Sequence, residues 1–313
     1  MLLYITFFIC GCSEETINDG NLLTEAELTS LINGNKKFHV LPNYTLSKKE
    51  IELFQKQGYV GEYVRVFEVT DTRTGEIRKI YEIGGDGYIY EDDMSSGLSP
   101  VNLSEKMAET DIHLNGQYRT TNLVDYNGVR VIDLKAINFF YFQNMNKIAE
   151  GLIKAVENYN SLNLGIRFNL KFYTIKTLAE SWPLYSPGIN VIIHHGTGSQ
   201  NPGGEAFYPS GGNPGREIRI NSGTNNESVE VNEHILSHEI GHTIGMRHTD
   251  YFDRAISCGF GYNEGTSGIG AVRIPGTPGT TGVDLLSVFL SCHDKFVSGE
   301  FSNYDITALK YLY

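Results

Sequence analysis

A chain of 313 residues with 40% hydrophobic content can hold two domains with cores of their own. Its net charge of −12 argues against nucleic acid and anionic membrane surfaces as partners. No internal apolar run is long enough for a transmembrane helix, and no repeat of fixed period is present.

The first element is an apolar stretch of nine residues, Leu2 to Cys10. It is too short to span a bilayer and matches the apolar core of a secretory signal. Ile9-Cys10-Gly11-Cys12 is similar to a bacterial lipobox, with Cys12 as the lipidated residue after cleavage, and acidic Ser13-Glu14-Glu15 follows. We therefore expect residues 1–12 to be a signal peptide with lipobox. The expected location is outside the cell, as an outer-membrane lipoprotein facing outward or otherwise a secreted protein, with contact to the membrane only through the anchor.

Residues 13–114 read as a small α+β region, either a propeptide or an accessory module. Ser47 to Gly58 predicts a short helix capped by Ser47 with Glu50 three residues on. Tyr63 to Val69 and Glu76 to Ile83 predict two strands joined by a turn at Asp71-Thr72-Arg73-Thr74-Gly75.

From about residue 121 the order of elements predicts one α/β unit. Gly128 to Asp133 reads as a strand, Phe142 to Ser161 as a helix with Ile148, Leu152 and Val156 on its apolar face, and Ile166 to Tyr173 and Ile189 to Ile193 as strands. Residues 196–216, rich in Gly, Asn, Pro and Ser, predict a long loop. Arg216 to Ile220 predicts an edge strand just before a helix over Glu230 to Met246. An extended peptide could add to such an edge through main-chain hydrogen bonds. His194 and His195 point to opposite faces of a strand and cannot easily share an ion. Ala206-Phe207-Tyr208 is either an aromatic wall of a substrate site or packing under the glycine-rich loop.

The chemistry concentrates in His238-Glu239-Ile240-Gly241-His242-Thr243-Ile244-Gly245-Met246-Arg247-His248. One helical turn separates His238 from His242, so both can reach a single zinc ion. Glu239, beside them, suits the carboxylate that takes a proton from a zinc-activated water and later returns it to the leaving group. On a continued helix His248 would lie about 15 Å from His238 along the axis. A sharp turn is required, and Gly245 can supply the left-handed conformation that brings His248 back as third ligand. Three histidines with one open position make a catalytic rather than a structural site.

Outside the leader only Cys258 and Cys292 remain. In an exported protein they are candidates for a disulfide contributing up to about 3–4 kcal/mol, the alternative being two buried thiols.

With this motif the chain resembles the metzincin clan of zinc endopeptidases, and the wording HEIGHTIGMRHTD resembles the bacterial dual-action HEIGH metallopeptidases. Gln117-Tyr118-Arg119, Asn122-Leu123-Val124, Ala206-Phe207-Tyr208-Pro209 and Pro275-Gly276-Thr277-Pro278 add to the likeness, which covers roughly residues 115–292. The resemblance implies an α+β, metzincin-like (zincin) domain over 115–313, with a twisted mixed sheet, an active-site helix and a C-terminal subdomain. It implies one catalytic zinc, an extended protein or peptide substrate, and peptide-bond hydrolysis with Glu239 as base and acid; calcium need is not implied either way. Asp250 falls in the family's Thr-Asp pair and is expected to accept hydrogen bonds that fix the loop bearing His248. Where the clan carries a methionine beneath the zinc, this chain reads Ser287-Val288-Phe289-Leu290, so Phe289 takes the methionine's place, and Ser291 stands where some members have a tyrosine. Some metzincin zymogens block zinc with an aspartate, and Asp111, in Glu109-Thr110-Asp111-Ile112, is the corresponding candidate. Two alternatives stay open beside the endopeptidase: a weak or inactive peptidase-fold binding lipoprotein, and a zinc amidase of cell-wall peptides.

Overall fold

The structure, a computed structural model, describes residues 36–41, 44–50, 65–71, 74–83, 87–91, 116–195, 199–259, 263–266, 269–277 and 283–313. The leader with Cys12, the segment with Asp111 and the boundary near residue 114 lie outside the described residues, as does most of the helix expected from Ser47.

The strands are β1 Lys36–Val40, β2 Arg65–Asp71, β3 Ile77–Ile83, β4 Gly87–Tyr90, β5 Tyr118–Arg119, β6 Arg130–Ile137, β7 Ile166–Tyr173, β8 Ile189–His194, β9 Gly204–Phe207, β10 Glu217–Asn221, β11 Met246–Arg247 and β12 Val272–Arg273. The helices are α1 Phe139–Asn144, α2 Asn146–Ser161, α3 Trp182–Tyr185, α4 Val229–Thr243, α5 Ala255–Cys258 and α6 Asn303–Leu312. Alternation decides the core face of β6, where Ile132, Leu134 and Ala136 are buried. In α2, Ile148, Leu152, Ala155, Val156 and Tyr159 recur at helical spacing and form one buried stripe. That stripe packs toward α4 at close range. A Cβ on Gly151 would sit 2.7 Å from the backbone of Asn232 and Glu233, so only glycine lets the two helices approach this far.

The central strands run in the order β9-β10-β8-β6-β7. β6 is parallel to β7 and β8, β8 is parallel to β10, and β9 alone in this set is antiparallel to its neighbour. With α4 packed against β9 and β10 and α6 closing the C-terminal part, this is the expected α+β arrangement of a mixed sheet and a long buried helix. A second sheet, β11-β5-β12, joins the segment just after α4 to the start of the domain, pairing Arg247 with Tyr118 and Arg273 with Tyr118.

Four expectations are corrected. The first strand of the domain runs Arg130–Ile137 rather than 128–133, because Gly128 takes φ +71° in a turn before it. The helix expected over 142–161 is two helices, broken at Met145, whose φ of −113° and ψ of 61° leave the helical region. The active-site helix ends at Thr243, not Met246, because the chain already turns at Gly245. The strand at Arg216 to Ile220, observed as β10, is interior, between β8 and β9, and β9 lies inside the expected loop. β9 is too short, and carries too few β-branched residues, to stand out in the sequence.

The N-terminal strands form an antiparallel run β1-β2-β3-β4. It is not a separate sheet. β4 pairs in parallel with β9, Gly87 opposite Ala206 and Tyr88 opposite Phe207, so nine strands form one continuous sheet.

Candidate metal centre

α4 starts at Ser228, whose side chain accepts from the Val231 N–H, and nearly all of its residues are buried. His238 and His242 lie one turn apart with ring centroids 4.5 Å from each other. The helix closes with Gly245 N–H donating to the His242 carbonyl. Gly245 sits at φ +105°, and a Cβ there would lie 2.7 Å from Leu123 and 2.8 Å from Thr120, so both backbone angle and space require glycine. β11 then pairs with β5, which carries the chain back across the end of α4. This delivers His248, whose ring lies 5.0 Å from both His238 and His242.

One nitrogen from each of the three buried histidines falls within 4.8 Å of the others, and this is the only such group of three metal-binding side chains among the described residues. The opposite ring nitrogens are engaged. His238 Nδ1 is 2.7 Å from the Val288 carbonyl, His242 Nδ1 is 2.9 Å from the Met246 carbonyl, and His248 Nδ1 is 2.5 Å from Glu264 Oε1. Carbonyl and carboxylate oxygens only accept, so each Nδ1 donates, and this fixes each ring with its Nε2 turned to the centre. His238 Nε2 and His248 Nε2 stand 3.1 Å apart. Three imidazoles converging in this way fit one zinc ion.

Glu239 is 3% exposed and faces the start of β9. A Cβ on Gly204 would sit 2.9 Å from its Cγ and Oε1, so the glycine lets the strand pass directly against the carboxylate. Tyr208, just past β9, sets its ring 5.1 Å from that of His242.

Below the histidines, Phe289 is fully buried, with its ring 6.4 Å from that of His238 and stacked on Phe301. The helix makes room for it at Gly241, where a Cβ would come within 2.1 Å of the Phe289 ring. The preceding residue, Val288, is held through both its backbone groups. Val288 donates its N–H to Asp305 Oδ2 at 2.9 Å, and its carbonyl receives His238. Asp305 Oδ1 also accepts from Ser287 and Gln117, at 2.6 and 2.8 Å. Burial pushes the Asp305 carboxyl up to about 6, against these hydrogen bonds, which pull it down.

Asp250 accepts from Ser257 at 2.5 Å and from the Ser291 N–H and hydroxyl at 3.0 and 2.8 Å, tying the loop after His248 to the segment after Phe289. The Cys258–Cys292 disulfide joins the same two segments. Glu264 was not singled out from the sequence. Fully buried, it touches His248 and also pairs with Arg247 at 3.1 Å and Arg254 at 3.4 Å. Its position sixteen residues beyond His248 falls in an irregular segment with no spacing rule to reveal it. Asp305 was likewise missed, although Ser302 with Asp305 three residues on forms a capping box for α6.

Other histidines lie outside the group of three. His194 ends β8 and His195 follows it, and neither joins a cluster of metal ligands among the described residues. His234 is buried one turn before His238, with its ring 4.9 Å from that of His293. Burial, and then the neighbouring His293 and His238, push it down to about 2, so it is neutral at any working pH.

The family described as dual-action HEIGH metallo-peptidase matches this chain over residues 93–313, well over half its length. No curated protein matches. Among solved structures, metalloproteinase-II from Bacteroides fragilis is similar at 11% identity, covering 79% of this chain and 81% of its own, with a TM-score of 0.34.

Proposed function

Starting from the fact that this chain belongs to the dual-action HEIGH metallopeptidase family and is a zinc metallopeptidase, we propose that it is an endopeptidase acting on extended stretches of protein outside the cell. The observation that carries this reading is Glu239, next to His238 on the same helix as two of the three clustered histidines and lying against the start of β9. His238, His242 and His248 would hold the ion through Nε2. Bound there, zinc supplies Lewis acidity and brings a water's pKa toward neutrality. Glu239 takes the proton of the attacking water and returns it to the leaving amine, serving as base and then acid. Enclosure of its carboxylate strengthens both interactions by excluding solvent.

Placement outside the cell rests on the apolar leader, on Cys12 in its lipobox-like setting and on a disulfide that persists in oxidising compartments. Asp250, Glu264 and Asp305 hold the ligand-bearing segments in register, and Phe289 forms the floor. Among the described residues no helix is long and apolar enough to cross a membrane. The test is cleavage of unfolded casein by the full chain beside Glu239→Ala. The reading expects cleavage to fall by at least about 100-fold in the variant with zinc still bound. Equal cleavage by both would remove Glu239 from the chemistry.

A further inference from the structure

α4 carries one histidine beyond His238 and His242. His234 precedes His238 by a single turn, so it extends the stripe of ligand side chains toward the start of the helix. It is 4% exposed, and its Nε2 is buried with no hydrogen bond among the described residues. Burying an imidazole nitrogen without a partner costs stability, and such an atom marks a place where an ion or a water belongs. The hydrolytic chemistry makes no use of it.

The chain beyond Phe289 runs beside the same stripe. Val288 lies against His238, and further on His293 sets its ring 4.9 Å from that of His234, with the planes inclined at 46°. The three histidines of the zinc centre are spaced alike, with ring centroids 4.5, 5.0 and 5.0 Å apart and planes at 84°, 34° and 68°. Two imidazoles sharing a tetrahedral zinc, each at about 2.0–2.1 Å from it, stand at this kind of separation. Both rings are anchored from outside the pair. His234 sits in a buried helix, and His293 follows Cys292, which is bonded to Cys258 and donates its N–H to the Ser257 hydroxyl. His293 lies at the surface, which leaves an entry path to the buried nitrogen behind it. Burial, and then His238, hold the His293 ring below its usual pKa; Glu227 and Asp294 act in the opposite direction and lend the site negative charge that favours a cation.

We infer that His234 and His293 form a second metal site, for a transition-metal dication such as zinc, separate from the catalytic ion and weaker than it. Among the described residues no third His, Cys, Asp or Glu joins the pair, so water completes the coordination and the ion is held less tightly than by three histidines. Imidazole donors select zinc, nickel or copper over calcium and magnesium, which take oxygen ligands. One helical turn, about 6 Å of rise, separates His234 from His238, so the second ion lies beside the first without sharing a ligand with it. The site therefore fills only in zinc excess, after the catalytic position is loaded.

The experiment is equilibrium dialysis of the zinc-loaded full chain against rising free zinc, with bound metal counted by elemental analysis, for wild type, His293→Ala and the control His195→Ala. The inference expects wild type and His195→Ala to take up one zinc beyond the tightly held one, and His293→Ala to lose that uptake. A second readout needs no variant: zinc beyond one per chain should protect His293 from diethyl pyrocarbonate, read by mass spectrometry, whereas calcium should not. An extra zinc that persists in His293→Ala, or disappears in His195→Ala, is an adventitious ion only and would overturn the inference. Wild type with no extra zinc, or with His293 still modified at saturating zinc, would overturn it as well. None of these outcomes reads cleavage, so the peptidase account stands or falls apart from them.

Discussion

Replacing Glu264 by glutamine tests how the third ligand is held. The wild-type carboxylate divides its oxygens, Oε1 facing His248 Nδ1 at 2.5 Å and Oε2 facing Arg247 at 3.1 Å. A glutamine of the same shape has one oxygen for these two donors. If the oxygen stays with His248, the amide NH2 meets the Arg247 guanidinium, which retains only the Gly265 and Gly270 carbonyls. If the amide turns over, His248 loses its acceptor and with it the preference for presenting Nε2 to the metal. Loss of an outer carboxylate on a zinc histidine costs about 10–100-fold in metal affinity. That is about 1.4–2.7 kcal/mol at 1.36 kcal/mol per tenfold. Zinc dissociation constants from chelator competition at pH 7.5 measure this directly. Ile148→Val, a buried change in α2 away from the histidines, serves as a control for general loosening of the core. The reasoning predicts weaker zinc in Glu264→Gln with the control unchanged. A folded Glu264→Gln protein that binds zinc within twofold of wild type would refute it.

Asp305 carries the pH prediction. Burial raises its carboxyl from 3.8 to about 6, so the folded state binds this proton more tightly than the unfolded chain. The associated stability is fully present below about pH 4 and is lost as pH rises through about 6, a change of about 3 kcal/mol. Urea denaturation of metal-free protein should show the advantage of wild type over Asp305→Asn shrinking by about that amount between pH 4 and 8; a constant difference would contradict the assignment. Gly245→Ala forces a Cβ into a left-handed position against Leu123 and Thr120, and should lower zinc affinity together with unfolding stability by at least about 1 kcal/mol. A variant with unchanged melting temperature and unchanged zinc binding would show that the turn tolerates the side chain. Phe289→Met leaves a flexible apolar side chain on the floor beside Gly241, and the expected cost is about 1–2 kcal/mol of stability with zinc still bound; loss of zinc would show that the aromatic ring itself is required.

The zinc triad was legible because its geometry is local. Spacing on one helix fixes His238, Glu239 and His242, and a single glycine explains how His248 returns. The strands β7 and β8 were also legible, since their runs of Ile, Val and Phe are long enough for alternation or β-branching to show. What escaped depends on contacts distant in the chain. Glu264 and Asp305 act from an irregular loop and from the last helix, on partners that no pattern in their own neighbourhood names. β9 contains one glycine, one glutamate and only four residues, and it becomes a strand because β10 and β4 flank it. The two expected N-terminal strands appear as β2 and β3, but their union with the catalytic sheet rests on a pairing of Gly87 with Ala206, far apart in sequence. The departure at Phe289 was visible as a residue, whereas the space it needs at Gly241 became visible only when helix and turn were seen together.

The central claim is that one zinc ion held by His238, His242 and His248 makes this chain a peptidase. Its most direct test is to strip the protein with a chelator and titrate zinc back while following casein cleavage. The account predicts no cleavage in the stripped protein and recovery that levels off at one zinc per chain, with His248→Ala failing to recover. Full cleavage without metal, or recovery that is unchanged in His248→Ala, would contradict it.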